Sequence, residues 1–199
     1  MLLVMDVGNT NIKVGVFEGD KLLNSWRMES KPGRTADEYA VTLLNILERA
    51  GLHVRQIEGV VMSSVIPSLN YTLEHMVEYY IRKPMIVAGP GVKSGINVKY
   101  ENPKEVGADR IVNSLAAHRL YGGPCIVIDF GTATTFNVIN EAGEFIGGVI
   151  CPGIKLSTDA LTNNAAKLPR IELIKPERVV GKSTVANMPV SYTHLTLPT

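Results

Sequence analysis

The N-terminal stretch LLVMDVGNTNIKVGVF, residues 2–17, predicts a β-hairpin with a polar turn. A short apolar run ends at Asp6, and residues 8–11 contribute a glycine, two amides and a hydroxyl. A second apolar run begins at Ile12 and includes Lys13. Apolar, β-branched runs bounded by turn residues are typical of strands. The sequence therefore places a carboxylate and an ammonium group at the end of a hairpin, beside the N–H groups of its turn.

The same order of residues returns in CIVIDFGTATTFNVIN, residues 125–140. Both stretches run from an apolar strand to an aspartate, an apolar residue, a glycine, a polar turn and a second strand. Asp6 and Asp129 lie 123 positions apart. An internal repeat indicates duplicated structural units. We therefore expect two lobes, at residues 1–122 and 123–188, each led by a hairpin with a polar turn.

The chain between and after these hairpins predicts alternating helices and strands. Thr35 and Glu38 form a capping box, and Gly51 marks the end of the helix that follows. We expect the strands at about 1–6, 12–17, 22–27, 60–62, 85–88, 125–129, 136–139 and 145–150, and further helices at about 67–80, from Asn102, at 108–120 and after Gly153. This alternation is typical of an α/β protein.

The two hairpin turns have the chemistry of a phosphate clamp. Turns of Gly, Asn and Thr present backbone N–H groups and hydroxyls that hold phosphate oxygens. Lys13 would add a positive charge, while Asp6 and Asp129 would hold a cation or water beside a polyphosphate. The alternative is that these residues only suit the turn geometry. One copy alone would favour that alternative, whereas two copies at matching places favour the clamp.

Composition excludes several other classes of protein. With 20 basic and 19 acidic residues the net charge is +1, which gives no electrostatic case for a nucleic acid or an anionic membrane as a partner. No apolar run approaches the roughly 20 residues of a membrane helix. Cys125 and Cys151 form no C-x-x-C pair, so a disulfide framework or thiolate metal site is not expected. These features favour a cytoplasmic protein without a secretion leader.

Further stretches give the chain a family resemblance. The two hairpins resemble the phosphate motifs of the acetate kinase, sugar kinase, Hsp70 and actin superfamily. Four other stretches, in matching order and spacing, narrow the resemblance to the type III pantothenate kinases: SSVIPSLN (63–70), GVKSGINVKYENPKEVGADRIVNSLAA (91–117), GGVICPGI (147–154) and KSTVANM (182–188). The resemblance covers about residues 1–188.

The resemblance implies a fold and an activity. The fold would be the two-lobe, actin-like ATPase (ribonuclease H-like) α/β fold, with the second lobe incomplete. The activity would be ATP-dependent phosphorylation of pantothenate to 4′-phosphopantothenate, the first step of coenzyme A biosynthesis. The family further implies Mg²⁺ with ATP, a monovalent cation (K⁺ or NH₄⁺) and a homodimer with the substrate site near its interface.

The resemblance also assigns residues to roles. Asp109 would be the general base, and Asp129 would hold the monovalent cation. The residues expected to bind ATP are Asp6, Val7, Gly8, Asn9, Thr10, Asn11, Ile12, Lys13 and Thr132. Those expected to bind pantothenate are Tyr100, Gly107, Ala108, Asp109, Arg110 and Thr184.

Each of the pantothenate assignments has a structural alternative. Asp109 follows a glycine at a predicted helix start, where an acid also favours the helix dipole. Arg110 could form a surface ion pair, Tyr100 could pack in a core, and Thr184 could cap the segment after it. The function has alternatives as well: another small-molecule kinase of the superfamily, or a regulatory ATP-binding protein with the same clamp.

The C-terminal stretch PVSYTHLTLPT, residues 189–199, does not resemble the family. It contains no Asp, Glu, Lys or Arg. Only 70 positions follow Asp129, too few for a second lobe built like the first. We expect a truncated chain with a foreign or mistranslated end; the alternative is a compact variant with a rebuilt C-terminus.

Overall fold

The computed structural model describes residues 1–89 and 91–190 of the 199-residue chain, and apolar runs form its strands. The strands are β1 (Leu2–Val7), β2 (Asn11–Glu18), β3 (Lys21–Glu29), β4 (Gly59–Ser64), β5 (Met85–Ala88), β6 (Cys125–Phe130), β7 (Ala133–Ile139) and β8 (Phe145–Pro152). The helices are α1 (Ala36–Arg49), α2 (Pro67–Met76), α3 (Ala108–Tyr121), α4 (Ile154–Asn164) and α5 (Thr184–Val190).

The first sheet has the strand order β3-β2-β1-β4-β5. Strands β1, β2 and β3 pair antiparallel, while β4 runs parallel to β1 and β5 runs parallel to β4. Asp6 at the end of β1 is paired with Lys13 on β2 and with Ser63 on β4. Since paired residues share a face of the sheet, these three polar side chains lie together at its carboxyl edge.

The core of this part of the chain lies between the sheet and helices α1 and α2. Helix α1 begins at the predicted capping box: Thr35 Oγ1 accepts a hydrogen bond from Glu38 N at 3.3 Å, and Glu38 Oε2 accepts one from Thr35 N at 2.8 Å. Fully buried side chains of the core include Leu3, Val7, Ile12, Val16, Tyr39, Met62, Leu69, Leu73 and Met76. The predicted α/β fold is therefore confirmed here, with apolar positions of the strands and helices packed together.

The second sheet has the order β6-β7-β8, so the second hairpin also leads a sheet. The described residues form two compact units: one contains Met1–Ile126 and Asn137–Gly147, and the other contains Val127–Phe136 and the described residues from Gly148 onward. The lobe boundaries at 1–122 and 123–188 stay a prediction. Of the expected foreign tail at 189–199, residues 191–199 lie outside the described part of the chain.

Two elements differ in detail from the sequence-based expectation. The helix expected over 67–80 is α-helical only to Met76 and continues as a π-helical turn, Val77–Ile81, which ends at Arg82 with a left-handed φ of 56°. The helix expected from Asn102 is a single 3₁₀ turn, because Val106 leaves the helical region with ψ 123°. No helix of the described residues is long and apolar enough to cross a membrane.

Candidate active site

The turn between β1 and β2 is closed by hydrogen bonds that keep its polar side chains at the surface. Gly8 N donates to Asn11 O at 3.0 Å, and Ser30 Oγ donates to Gly8 O at 2.6 Å. The side chains of Asn9, Thr10 and Asn11 are exposed. The turn therefore presents two amides and a hydroxyl to solvent from a backbone held in place by β3 and its following residue.

Asp6 and Lys13 form an ion pair at the foot of this turn. Lys13 Nζ lies 3.1 Å from Asp6 Oδ2, and the two side chains are 55% and 36% exposed. Ion pairs this exposed contribute about 1 kcal/mol or less. A phosphate or a cation can therefore compete for either partner without a large loss of stability.

Two of the predicted ATP-binding residues, Val7 and Ile12, have fully buried side chains. Both belong to the core beneath the turn, and Val7 O accepts a hydrogen bond from Val65 N at 3.0 Å. Only their main-chain atoms could reach a ligand. Their side chains anchor the turn to the sheet.

The N-terminus of α3 lies over the carboxyl edge of the first sheet. A Cβ on Gly107 would lie 3.6 Å from Val65 Cγ1, and a Cβ on Gly89 would lie 3.8 Å from Ala108 Cβ. Val65 and Gly89 directly follow β4 and β5, and Val65 is bonded to the end of β1 through Val7. In open α/β sheets, ligands bind at this edge of the strands. The first turn and the predicted pantothenate residues Gly107 and Ala108 thus share one edge.

Asp109 lies in the first turn of α3 with its carboxylate folded back over the helix start. Asp109 Oδ1 accepts a hydrogen bond from Arg110 N at 2.7 Å. A Cβ on Gly107 would lie only 2.5 Å from the same oxygen, so glycine leaves room for this conformation. The half-buried carboxylate lies at the helix N-terminus, where an acidic residue also favours the helix dipole. That structural role is compatible with the predicted role as a base.

Arg110 is buried, so the alternative of a surface ion pair is wrong. Its side chain is 6% exposed, and its Nε donates to Asn137 Oδ1 at 2.6 Å. The guanidinium carbon lies 5.3 Å from the centre of the Phe145 ring. Tyr100 packs on the same ring, with the two ring centres 5.9 Å apart. The structure therefore brings the predicted substrate residues Tyr100 and Arg110 together around Phe145.

The segment that carries Tyr100 is tied to the start of β8. Phe145 N donates to Asn97 O at 2.9 Å, and Lys99 N donates to Phe145 O at 2.8 Å. Glu144 accepts hydrogen bonds from the side chains of Asn97 and Asn140, and its Oε1 lies 3.3 Å from Lys99 Nζ. The Asn140 amide, followed by Lys99 and Asn97, holds the pKa of the Glu144 carboxyl below its ordinary value.

The second hairpin turn, between β6 and β7, packs against the N-terminus of α4. Gly131 N donates to Ala133 O at 3.0 Å, and Gly153 N donates to Thr132 O at 2.9 Å. A Cβ on Gly153 would clash with the carbonyl oxygens of Gly131 and Thr132. Glycine at 153 thus allows this close approach. The half-buried Asp129 lies on β6, two residues before Gly131.

Thr184 is exposed at the start of α5, in the second compact unit. The neighbouring Ser183, rather than Thr184, caps this short helix: Ser183 Oγ accepts a hydrogen bond from Ala186 N at 3.1 Å. The structure thus gives Thr184 no capping bond of this kind. Its role toward substrate stays a prediction.

The residues expected near cations supply oxygen atoms only. Among the residues that the structure describes, no group of three or more His, Cys, Asp or Glu side chains is arranged to hold a metal ion. Mg²⁺ that accompanies a nucleotide takes one or two carboxylates and completes its shell with phosphate and water. Asp6 and Asp129 are single carboxylates beside polar turns, so each could supply such a ligand. Oxygen atoms are also the ligands that K⁺ takes.

Three residues of this region were not predicted from the sequence. Ser30 anchors the first turn, Asn137 bonds Arg110, and Phe145 lies under the Arg110 guanidinium. Asn137 is a polar residue within an otherwise apolar end of β7, which is a weak signal for a specific partner. The other two gave no signal, because their roles depend on contacts between distant parts of the chain.

The hairpin-led α/β arrangement, with polar turns after β1 and β6, defines an actin-like ATPase fold. A family model described as type III pantothenate kinase matches residues 2–194. The chain therefore belongs to the type III pantothenate kinase family, a family of ATP-dependent kinases. The match extends into the stretch 189–199, whose foreign origin stays a prediction.

Solved structures with a similar fold include a Campylobacter jejuni protein assigned to the Baf family of transcriptional activators. It is 16% identical, with a TM-score of 0.57 over 95% of this chain and 72% of that chain. The activator of 2-hydroxyisocaproyl-CoA dehydratase from Clostridium difficile, with bound ADPNP, is 13% identical. Its TM-score is 0.47 over 98% of this chain and 65% of the activator chain. EutJ from Carboxydothermus hydrogenoformans is 13% identical, with a TM-score of 0.48 over 84% of this chain and 57% of EutJ. This chain thus spans less than two thirds of the length of the last two proteins.

Proposed function

We propose that this protein phosphorylates pantothenate with ATP to give 4′-phosphopantothenate, the first step of coenzyme A biosynthesis. One observation carries the proposal beyond family membership. At the start of α3 the carboxylate residue Asp109 is followed directly by Arg110, whose guanidinium is buried. Pantothenate carries both a hydroxyl that must lose a proton and a carboxylate that a guanidinium can bind.

In the proposed reaction, Asp109 accepts the proton of the substrate hydroxyl as its oxygen attacks the γ-phosphorus of ATP. A new P–O bond forms at that oxygen, the bond from the γ-phosphorus to the bridging oxygen breaks, and ADP leaves. The turn at residues 6–13 and Thr132 hold the phosphates, with Lys13 supplying positive charge. Mg²⁺ and a monovalent cation, beside Asp6 and Asp129, would neutralise phosphate charge.

The remaining expectations accompany this proposal. Tyr100, Gly107, Ala108 and Arg110 would line the pantothenate site, and Thr184 would reach it across the interface of a homodimer. The protein would work in the cytoplasm with small molecules as its partners.

Replacement of the general base tests the proposal. Asp109→Asn removes the proton acceptor with little change in shape, so we expect pantothenate-dependent ADP formation to fall about 10²–10⁴-fold. Glu105→Gln, at an exposed carboxylate four residues earlier, is the matched control and should keep most of the activity. Equal activity of Asp109→Asn and the wild type would remove Asp109 from the mechanism. Turnover by the wild type with another acceptor only would contradict the proposed substrate.

A further inference from the structure

The Arg110 guanidinium is a buried positive charge that forms no ion pair with the described residues. Its side chain is 6% exposed, and no carboxylate of the described residues lies within ion-pair distance. Removing a charge from water is expensive unless it is paired or well hydrogen-bonded. The neighbours of Arg110 must therefore explain why the charge is kept there.

Two side chains hold this guanidinium in place. Asn137, which is fully buried, accepts the Nε–H bond in the plane at 2.6 Å. Phe145, also fully buried, lies under the guanidinium, with 5.3 Å between the guanidinium carbon and the ring centre. The bond engages Nε and leaves Nη2 without a hydrogen-bond partner among the described residues.

Donor groups are left over around this pair. Arg110 Nη2 and Asn137 Nδ2 are buried and have no hydrogen-bond partner among the described residues. Ser114 Oγ, one helical turn beyond Arg110, is also buried and has no hydrogen-bond partner among the described residues. Unsatisfied buried donors are rare and costly in folded proteins. A cluster of them around a fixed guanidinium suits a ligand that brings acceptor oxygens.

We propose that Asn137 is a positioning residue that aims Arg110 at the carboxylate of the substrate. The inference rests on the proposed function and deepens it, by naming the residue that sets the recognition of an organic acid. Because the Asn137 oxygen is neutral, it orients the guanidinium and leaves its positive charge for the ligand. Asn137 itself need not touch the substrate.

This role is tested by substitutions at residue 137, whose effects are measured with a charged and with an uncharged ligand. Asn137→Leu keeps the size and removes the acceptor, whereas Asn137→Asp keeps an acceptor for Nε. We expect Asn137→Leu to raise KM for pantothenate on the order of tenfold, because a hydrogen bond to a charged group is lost, with a much smaller change in kcat. Asn137→Asp keeps the bond to Nε but places a negative charge beside Arg110, so it should recover little of that loss. The inhibition constant of pantothenol, in which an alcohol replaces the carboxylate, should be equal in all three proteins.

Circular-dichroism melting accompanies the measurement, since Asn137 is buried. If Asn137→Leu does not fold, Asn137→Ala replaces it, because alanine also removes the acceptor for Nε. It should show the same selective loss toward pantothenate. Equal losses toward pantothenate and pantothenol, or an unchanged KM in a folded Asn137→Leu protein, would overturn the inference while leaving the proposed kinase in place. A wild type that neither binds nor phosphorylates pantothenate would overturn the proposed function, and this inference with it.

Discussion

At the residue scale, the two basic side chains of the candidate site differ in how firmly they are held. Lys13 pairs with Asp6 at the surface, where such a pair is weak. Arg110 is buried between Asn137 and Phe145, where its position is set by two contacts. We therefore expect Lys13 to move when a phosphate arrives, and Arg110 to keep its place.

Tyr39 offers a prediction for stability at this scale. Its side chain is fully buried, and its hydroxyl accepts from Lys31 N at 2.8 Å and lies 3.0 Å from Lys31 O. Tyr39→Phe leaves both backbone groups without this partner, so we expect the free energy of unfolding to fall on the order of 1 kcal/mol. Urea unfolding measures the change. Tyr71→Phe, at a tyrosine that is 69% exposed, is the control and should have little effect. A loss as large in the control would refute the buried-hydroxyl explanation.

At the element scale, the two hairpins use different anchors for similar turns. The first turn is held by Ser30, a residue just after β3. The second is held by the start of α4, which approaches closely only because residue 153 is glycine. A helix N-terminus carries partial positive charge and attracts phosphate. The start of α4 thus gives the second turn the positive charge that Lys13 would give the first turn.

Glu144, in the hairpin between β7 and β8, is expected to make the stability of the protein depend on pH. Hydrogen bonds from Asn140, with Lys99 and Asn97, hold the pKa of Glu144 below its ordinary value in the folded protein. Its contribution to stability is therefore present above the unfolded pKa, about 4.3, and lost as the pH falls through the folded pKa. We expect Glu144→Gln to destabilise the protein at pH 7 and to lose that difference below pH 4. Urea unfolding at both pH values measures it.

Glu141→Gln is the matched control for this pH effect. Glu141 is exposed in the same hairpin, and its side chain makes no hydrogen bond or ion pair with the described residues. It should leave the pH dependence unchanged. A Glu144→Gln protein whose stability follows the wild type at every pH would contradict the assigned role of Glu144.

At the scale of the whole molecule, local patterns predicted the elements and missed the contacts between distant residues. The duplicated hairpins, the Thr35 capping box and α3 follow from periodicity and turn chemistry within a few residues. The burial of Arg110 does not, because it depends on Asn137, 27 positions away. The π-helical turn after α2 likewise follows no local signal in the sequence.

The second sheet leaves one part of the sequence-based account open. Ile126, Ile128 and Phe130 alternate along β6 and are 62%, 43% and 53% exposed. Large apolar side chains of this kind are normally covered or mark an interaction surface. The expectations of an incomplete second lobe and of a homodimer stay predictions.

The most direct test of the central claim is the identity of the phosphoryl acceptor. The full chain is incubated with ATP, Mg²⁺, K⁺ and equal amounts of pantothenate, acetate and N-acetylglucosamine, and the products are identified by mass spectrometry. We expect 4′-phosphopantothenate as the phosphorylated product, and about 10²–10⁴-fold less of it when Asp109→Asn replaces the wild type. A folded wild-type protein that forms acetyl phosphate or a sugar phosphate instead, or no phosphorylated product, would contradict the account.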